Sequence, residues 1–294
     1  MAQPLLDHRY TLTRLLFETG YERHYLADHV ELGITVRVVA VRPPRKSSII
    51  DVTNFRACAT EAASLRHQTL PHLRDFFLSS PIDEAYYAVF DVAEGATFAA
   101  YLAGHGGISL PLALTYGLEL CDALDLVRRE APRLASLVML SPRTLILCGT
   151  TPIGLLELGV ARWLIPSALP ELAPAESIYV APEVRAGSAS DSRSLLYSIA
   201  AFLYHMLMGH PLEPDHQPLK ERAGGNLIPE ALYTALTRAL DPAPQRRFST
   251  LDAFGIALGQ AAYQVLPPSF RGRRASAGML SAPDRARKQR KWEE

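Results

Sequence analysis

The sequence predicts an α+β fold with two unequal lobes. Two observations support this prediction: roughly the first ninety residues consist mainly of strand patterns with one helix, and later segments have mostly helical periodicity. A chain of 294 residues, 48% of them hydrophobic, is also long enough to bury a large core. We therefore expect a strand-rich lobe at 1–93, a helical lobe at 94–268 and a disordered basic tail at 269–294.

Three strands are predicted at the start of the first lobe. Tyr10–Leu16 and Arg23–Ala27 flank a turn at Glu18–Gly20. The next segment, Ile34–Val41, is rich in β-branched residues and stops before Pro43 and Pro44, which cannot donate hydrogen bonds to a sheet. This order predicts an antiparallel arrangement of short strands.

The rest of the first lobe contains one helix and two further strands. Asn54–His67 carries apolar residues at helical spacing, with good helix formers between them. Strand patterns follow at Leu73–Phe77 and Tyr86–Val92, and Glu94-Gly95 ends the pattern.

The second lobe has mainly helical periodicity. Five helices are predicted at Phe98–Ala103, Pro111–Leu126, Ser194–Met208, Pro229–Leu240 and Thr250–Gln264. Two short apolar strands, Leu145–Leu147 and Leu155–Leu156, are separated by turn residues and predict a hairpin.

Composition excludes several functional classes. Thirty basic and thirty acidic residues balance, so no overall field favours nucleic acid or a membrane surface. Cys58, Cys121 and Cys148 lack the spacing of a zinc site and predict buried thiols in a reducing compartment. No apolar run approaches the ~20 residues that span a bilayer, and no signal peptide is recognisable. We expect a cytoplasmic protein that neither binds nucleic acid nor inserts into a membrane.

Five landmarks occur in order along the chain. They are Thr60-Glu61-Ala62, Val89–Gly95, Ala181-Pro-Glu183, Ser194–Gly209 and Asp241–Arg247. Together they make the chain from about Tyr10 to Gln264 resemble a Ser/Thr protein kinase domain, most like the bacterial subgroup. The resemblance implies a bilobal protein kinase-like fold, with a β-rich lobe containing one helix and a mostly helical lobe. It also implies a buried ion pair between Glu183 and Arg247.

The nucleotide-binding residues of that family are replaced here. Phe17, Thr19 and Glu22 stand at the glycine positions of the phosphate-covering loop, where Glu22 adds a negative charge. The strand lysine corresponds to Val39 in the favoured alignment, or to Arg42 in a second alignment that requires an insertion. Neither alignment supplies a lysine.

Two large polar residues fall in the roof of the nucleotide site. In the favoured alignment Arg37 replaces the small residue above the adenine, and His24 replaces the neighbouring valine. We expect these side chains to occlude the cavity, although Arg37 could instead turn outward. The resemblance therefore implies that no cofactor binds in the usual way.

The catalytic residues are replaced as well. Aligned with H-R-D-L-K-P-x-N, the segment Leu137–Thr144 has Met139 in place of the catalytic Asp and Thr144 in place of the metal-binding Asn. Glu157 replaces the Asp of D-F-G, and a lone carboxylate makes a poor magnesium site. Glu61, without its lysine, could pair with Arg37, pair with another arginine or face solvent.

Apolar residues replace part of the polar network. Leu65, Leu137 and Leu158 fall in the family's internal spine, and Leu195 replaces an Asp that normally bonds the catalytic loop. Val160–Val180 takes the place of the activation segment, and its prolines and aliphatic residues make it a candidate contact surface.

The resemblance and the substitutions together predict a pseudokinase that binds a protein partner, either an active kinase or a larger assembly. Nucleotide binding without turnover remains open. The alternative is a divergent ATP-binding kinase or nucleotide transferase that uses magnesium, Glu61, Glu157 and a displaced arginine. In the tail, Arg273-Arg-Ala-Ser276 resembles a basophilic kinase substrate.

Overall fold

The computed structural model describes residues 6–42, 51–78, 85–93, 95–105, 107–147, 153–156, 158–165, 177–212 and 228–265. Some predictions fall on other residues. They concern Glu94, Cys148, Glu157, the segment 166–176 and the tail 269–294. These lie outside the described residues, and what was expected of them stays a prediction.

The first lobe is built on an antiparallel sheet in the order β1-β2-β3-β5-β4. Its strands are β1 Tyr10–Glu18, β2 Glu22–His29, β3 Ile34–Val41, β4 Leu73–Leu78 and β5 Tyr86–Asp91. All five predicted strands are confirmed, and the bounds of β3 are the predicted ones.

The register of the sheet places alternate residues of β3 on opposite faces. Val36 and Val38 pack into a small apolar cluster with Tyr10 and Tyr87. Val39, from the other face, belongs to the main core. The inner face of the sheet is therefore the one that faces the rest of the molecule.

Among the described residues of the first lobe, one helix, α1 (Val52–Ser64), contributes Phe55 and Cys58 to that core. It begins two residues before the predicted start and ends three before the predicted end. The Asp51 carboxylate caps the helix by accepting the Asn54 N–H at 2.7 Å, so this cap sets the start.

The second lobe is mostly helical, as predicted. Its helices are α2 Phe98–His105, α3 Leu110–Glu130, α4 Pro132–Ala135, α5 Val160–Leu164, α6 Pro182–Arg185, α7 Ser192–Met208, α8 Glu230–Ala239 and α9 Leu251–Val265. A small antiparallel sheet joins β6 Ala96–Thr97, β7 Leu145–Leu147 and β8 Gly154–Leu155.

Several details differ from the sequence predictions. The helix expected at Pro111–Leu126 extends to Glu130 as α3. The short helices α4 and α6 each begin at a proline and are too short to show helical periodicity. The segment Val160–Val180, for which no helix was predicted, begins with the helix α5. These corrections leave the α+β, two-lobed architecture unchanged.

Candidate functional site

Val39 lies in the middle of β3, at the position that the resemblance assigns to a lysine. Its side chain is fully buried in the main core, which also contains Phe55, Cys58 and Phe90. The backbone pairs with His24 on β2 and with Ala88 on β5. The position is therefore an apolar part of the inner face of the sheet.

Arg37 and His24 lie on the neighbouring positions of the sheet and point toward the second lobe. Only 3% of Arg37 and none of His24 is exposed. The Arg37 Nη1 donates to the Leu156 carbonyl oxygen at 2.7 Å, and its Nη2 lies 2.6 Å from the His24 Nδ1. Because a guanidinium only donates, the His24 Nδ1 must accept, which leaves the proton of the neutral ring on Nε2.

Glu22 continues this chain of contacts. The His24 Nε2 lies 3.2 Å from the Glu22 Oε2, and the Ala161 N–H donates to the Glu22 Oε1 at 2.6 Å. Burial raises the pKa of Glu22, while the Ala161 N–H and the Arg37 charge partly offset that rise. Phe17 covers the His24 ring, with the two ring centroids 3.9 Å apart.

We call this arrangement the interlobe relay, defined by Glu22, His24, Arg37, Leu156 and Ala161. It connects two strands of the first lobe with the segment that follows β8 and with α5. Each step joins a donor to an acceptor, so the relay satisfies polar groups that would be costly to bury alone.

The helix α5, which contains Ala161 of the interlobe relay, packs against the first lobe through Trp163. Trp163 is fully buried and donates its indole N–H to the Leu158 carbonyl at 3.0 Å. Its ring centroid lies 5.9 Å from that of Phe55 and 6.5 Å from that of Phe90. These contacts connect α5 with α1 and β5.

Gly159, directly before α5, requires its glycine. Its φ angle is +76°, and an added Cβ would lie 2.5 Å from the Leu137 carbonyl oxygen. A side chain would therefore be strained by both the backbone conformation and the close contact. The close approach of Gly159 to the Leu137 backbone holds α5 against the loop that contains Leu137.

The Glu61 carboxylate contacts residues of the second lobe, whereas the resemblance pairs this position with a lysine on β3. Its Oε2 accepts the Leu134 N–H at 3.2 Å, and its Oε1 lies 3.8 Å from the Arg133 Nε. Of the three options left by the sequence, the structure shows a contact with an arginine other than Arg37. Near the other end of α1, the Asn54 Nδ2 donates to the Trp163 carbonyl at 2.9 Å.

The residues at the catalytic-loop positions make structural contacts. Met139 is half-buried and packs against the main core. The Thr144 Oγ1 accepts the Ser141 N–H at 3.0 Å and contacts the Ser141 carbonyl at 3.1 Å, which closes a turn. Glu157 lies outside the described residues, and its expected role stays a prediction.

The leucines assigned to the spine are buried in one core. Leu65, Leu137, Leu158 and Leu195 are 2%, 8%, 0% and 3% exposed. These four leucines therefore belong to one apolar core that extends from the end of α1 to α7.

The ion pair implied between Glu183 and Arg247 is present. Arg247 donates from Nη1 and Nη2 to the two Glu183 carboxylate oxygens at 2.8 and 2.9 Å. Burial alone raises the pKa of Glu183, but hydrogen bonds from Arg247 and Ser194 outweigh it and lower that pKa overall. This pair fixes α6 to the chain beyond α8.

Within the described ranges, no three or more His, Cys, Asp or Glu side chains are grouped to hold a metal ion. Over the same part of the chain, no helix is both long and apolar enough to cross a membrane.

Comparisons with known proteins identify the architecture. No protein-family model matches the chain. A crystal structure of the Mycobacterium tuberculosis PknI kinase domain superimposes with a TM-score of 0.65, at 22% identity, over 86% of this chain and 96% of that chain. The chain has a protein kinase-like fold.

Its homologues are bacterial Ser/Thr protein kinases. The chain is 25% identical over 268 residues to the serine/threonine-protein kinase PknB of Mycobacterium tuberculosis, which covers 83% of this chain and 41% of that protein. It is 22% identical over 264 residues to a probable serine/threonine-protein kinase of Clostridium perfringens, covering 85% and 38%. The chain thus spans about two fifths of the length of these relatives.

Within this kinase-like fold, sequence reasoning identified Glu22, His24 and Arg37 but missed how they connect. The negative charge of Glu22 was expected to oppose a triphosphate, whereas its hydrogen bond to Ala161 was not predicted. The aromatic Trp163 was also missed. The signal for both was present in the stretch after Gly159, Val-Ala-Arg-Trp-Leu, which has the residues of a short helix with one large apolar anchor.

Proposed function

We propose that this kinase-like chain is a pseudokinase that acts by binding another protein and does not transfer phosphate. The observation that carries the proposal is the interlobe relay. Its buried polar groups join β2 and β3 to Leu156 and Ala161, where the resemblance places a nucleotide. A nucleotide would have to displace these contacts before it could enter.

The loss of catalytic groups supports the same proposal. The resemblance places a lysine at Val39, a catalytic Asp at Met139 and a metal-binding Asn at Thr144. Removing one preorganised group that stabilises a transition state costs about 10²–10³ in rate, although such losses do not simply multiply. The side chains present instead pack in the core or close a turn.

The proposed partner is a protein, either an active kinase or a larger assembly. The Glu183–Arg247 pair supports this, because it keeps α6 fixed on the second lobe while the catalytic contacts are absent. A kinase-like surface can therefore persist without kinase chemistry. We further propose that nucleotide and magnesium are not required for this role.

The names of the relatives favour the alternative, a divergent kinase that binds ATP by an unconventional route. That function requires the Arg37 and His24 side chains to leave the positions described above. It also requires Glu61 to exchange its contacts with Arg133 and Leu134 for contacts with a nucleotide or metal.

A thermal-unfolding scan separates these functions. The purified protein is heated with millimolar ATP alone, with Mg²⁺, with Mn²⁺ and with EDTA, and an active Ser/Thr kinase domain serves as the positive control. A ligand at 100 times its dissociation constant adds about 2.7 kcal/mol, or roughly 5–10 °C in a chain of this size. We expect no shift for this protein. A metal-dependent rise would contradict the proposal and favour the divergent kinase.

A further inference from the structure

Two arginines of the second lobe have no carboxylate partner within the described part of the chain. They are Arg185, an exposed residue at the end of α6, and Arg193, in the first turn of α7. Over the described ranges, neither guanidinium donates a hydrogen bond or forms an ion pair. We propose that these two arginines and the Tyr197 hydroxyl, together the α6–α7 arginine site, bind a phosphoryl group on the partner protein.

The Arg193 side chain contributes a donor that has no acceptor. It is only partly exposed, and its Nε is buried without a hydrogen-bond partner among the described residues. The nearby Asp191 carboxylate caps α7, because its Oδ1 accepts the Arg193 N–H at 2.8 Å and the Ser194 N–H at 2.9 Å. Asp191 therefore offsets part of the local charge but leaves Nε unfilled. An anion that accepts from Nε would remove this cost of burial.

The Tyr197 hydroxyl is the second donor without an acceptor. Tyr197 follows Arg193 by one helical turn, so both side chains lie on the same side of α7. The residue is 5% exposed, and within the described ranges its hydroxyl makes no hydrogen bond. Burial raises the pKa of this hydroxyl, and the positive charges of Arg185 and Arg247 partly offset that rise. Arg185 is thus close enough to act on the same hydroxyl.

A third arginine surrounds the site but is already neutralised. The Arg247 guanidinium carbon lies 4.9 Å from the centroid of the Tyr197 ring, and its Nη1 donates to the Arg193 carbonyl oxygen at 3.1 Å. Both terminal nitrogens of Arg247 bind the Glu183 carboxylate. The excess positive charge therefore comes from Arg185 and Arg193. The amino-terminal end of the 17-residue helix α7 adds a partial positive charge to it.

The short helix α6 holds Arg185 in a fixed position. Gly187, which follows α6, has a φ angle of +96°, and the Ser188 N–H donates to the Glu183 carbonyl oxygen at 2.9 Å. The ion pair between Glu183 and Arg247 fixes the same helix to the rest of the lobe. The site is therefore largely formed before a ligand binds, which lowers the entropy cost of binding.

A phosphate monoester fits this arrangement better than a carboxylate. It presents three strong acceptor oxygens and about 1.5–2 negative charges near pH 7. A carboxylate has two oxygens and a single charge. Guanidinium groups bind phosphate through paired N–H donors, and the α6–α7 arginine site offers two guanidinium groups and a hydroxyl. This inference deepens the proposed function and rests on it, because it names the chemistry by which a partner protein is bound.

The first test is thermal unfolding in sodium phosphate and in sodium chloride at equal ionic strength and pH 7.5. A dissociation constant of about 10 mM for free phosphate gives a rise of roughly 1–3 °C at about 50 mM phosphate. Arg185→Gln and Arg193→Gln should each lose most of this rise, and Tyr197→Phe should lose part of it. The matched control is Arg14→Gln, which removes an exposed arginine from β1 and should keep the full rise. Equal rises in all five proteins would overturn the proposal.

A measurement on the unmodified protein covers the case in which a variant fails to fold. The NMR signal of the Arg193 Nε–H group, assigned with Arg193→Lys, reports whether this nitrogen gains an acceptor. About 50 mM phosphate should move this signal and leave that of the Arg14 Nε–H group in place. An unchanged Arg193 signal would refute the site.

A short neutral peptide that carries one phosphoserine tests whether the phosphoryl group comes from a protein. The phosphopeptide should move the Arg193 signal as phosphate does, and its unphosphorylated form should not. A response to inorganic phosphate alone would contradict the assignment to a partner protein. At a dissociation constant of about 10 mM, millimolar ATP would raise the unfolding midpoint negligibly through this site. A metal-dependent rise with ATP that persists in Arg185→Gln would therefore count against the pseudokinase function alone.

Discussion

Restoring the lysine on β3 should damage this protein instead of reactivating it. Val39→Lys introduces an ammonium at a fully buried position in the main core. The natural partner of that lysine in the family, a carboxylate on the first-lobe helix, corresponds to Glu61. Here the Glu61 carboxylate already contacts Leu134 and Arg133 of the second lobe. The new charge would therefore lack a prepared partner.

The expected cost of Val39→Lys can be estimated from two effects. Adding bulk to a packed core costs about 1–3 kcal/mol, and an uncompensated buried charge adds several kcal/mol unless the lysine is deprotonated. We expect a loss of about 3–5 kcal/mol and a fall of roughly 6–15 °C in the unfolding midpoint. Urea unfolding at pH 7 and at pH 9.5 measures the free energy, and the loss should shrink at the higher pH.

Val39→Met is the matched control because it adds a chain of similar length without the charge. It should cost only the bulk contribution and show no special dependence on pH. A Val39→Lys protein as stable as Val39→Met would refute the reasoning. So would a thermal shift with ATP and Mg²⁺ that appears only in Val39→Lys, since it would mean that Glu61 can return to β3.

Two further predictions concern the second lobe. Glu183→Ala should destabilise the protein by about 3–5 kcal/mol in urea unfolding, because Arg247 would remain buried without its carboxylate. The control is Glu18→Ala, which removes an exposed carboxylate that pairs with Arg23 and should cost below about 1 kcal/mol. The second prediction concerns pH: burial mainly lowers the pKa of His205 to about 4, so the stability that depends on its neutral form should be lost as the pH falls from about 6.5 to about 4. His205→Gln should flatten this part of the curve of unfolding free energy against pH, and an unchanged slope would contradict the assignment.

The fold was predictable where local patterns are strong. β3 was predicted with its observed bounds because a β-branched run lies between Gly33 and two prolines. The ends of α1 were less predictable, since its start depends on the Asp51 cap. The Asp51 N–H in turn donates to the Leu164 carbonyl at 2.9 Å, a partner far away in the sequence. Such tertiary contacts override local propensity at helix ends.

For the candidate site, the sequence likewise indicated positions along the chain but not the distant partners of each residue. Spacing against the kinase motifs selected Arg37, His24 and Val39 as candidate site residues of the sheet. It could not show that Arg37 donates to Leu156 or that Ala161 donates to Glu22, because these partners are 119 and 139 residues apart. Periodicity reports which face a residue occupies, but the identity of a distant partner depends on how the lobes pack.

We expect the interlobe relay to affect the arrangement of the two lobes more than the free energy of unfolding. A buried network of charges often contributes little more than well-packed apolar residues would, because desolvation offsets the attraction between its members. Its directional bonds instead favour the one arrangement of the lobes that joins β2 and β3 to Leu156 and Ala161. An active kinase needs a cleft that admits and releases nucleotide, whereas a protein that acts by binding gains from a single surface. The proposed pseudokinase function therefore predicts that variants of the relay alter partner affinity before they create any catalysis.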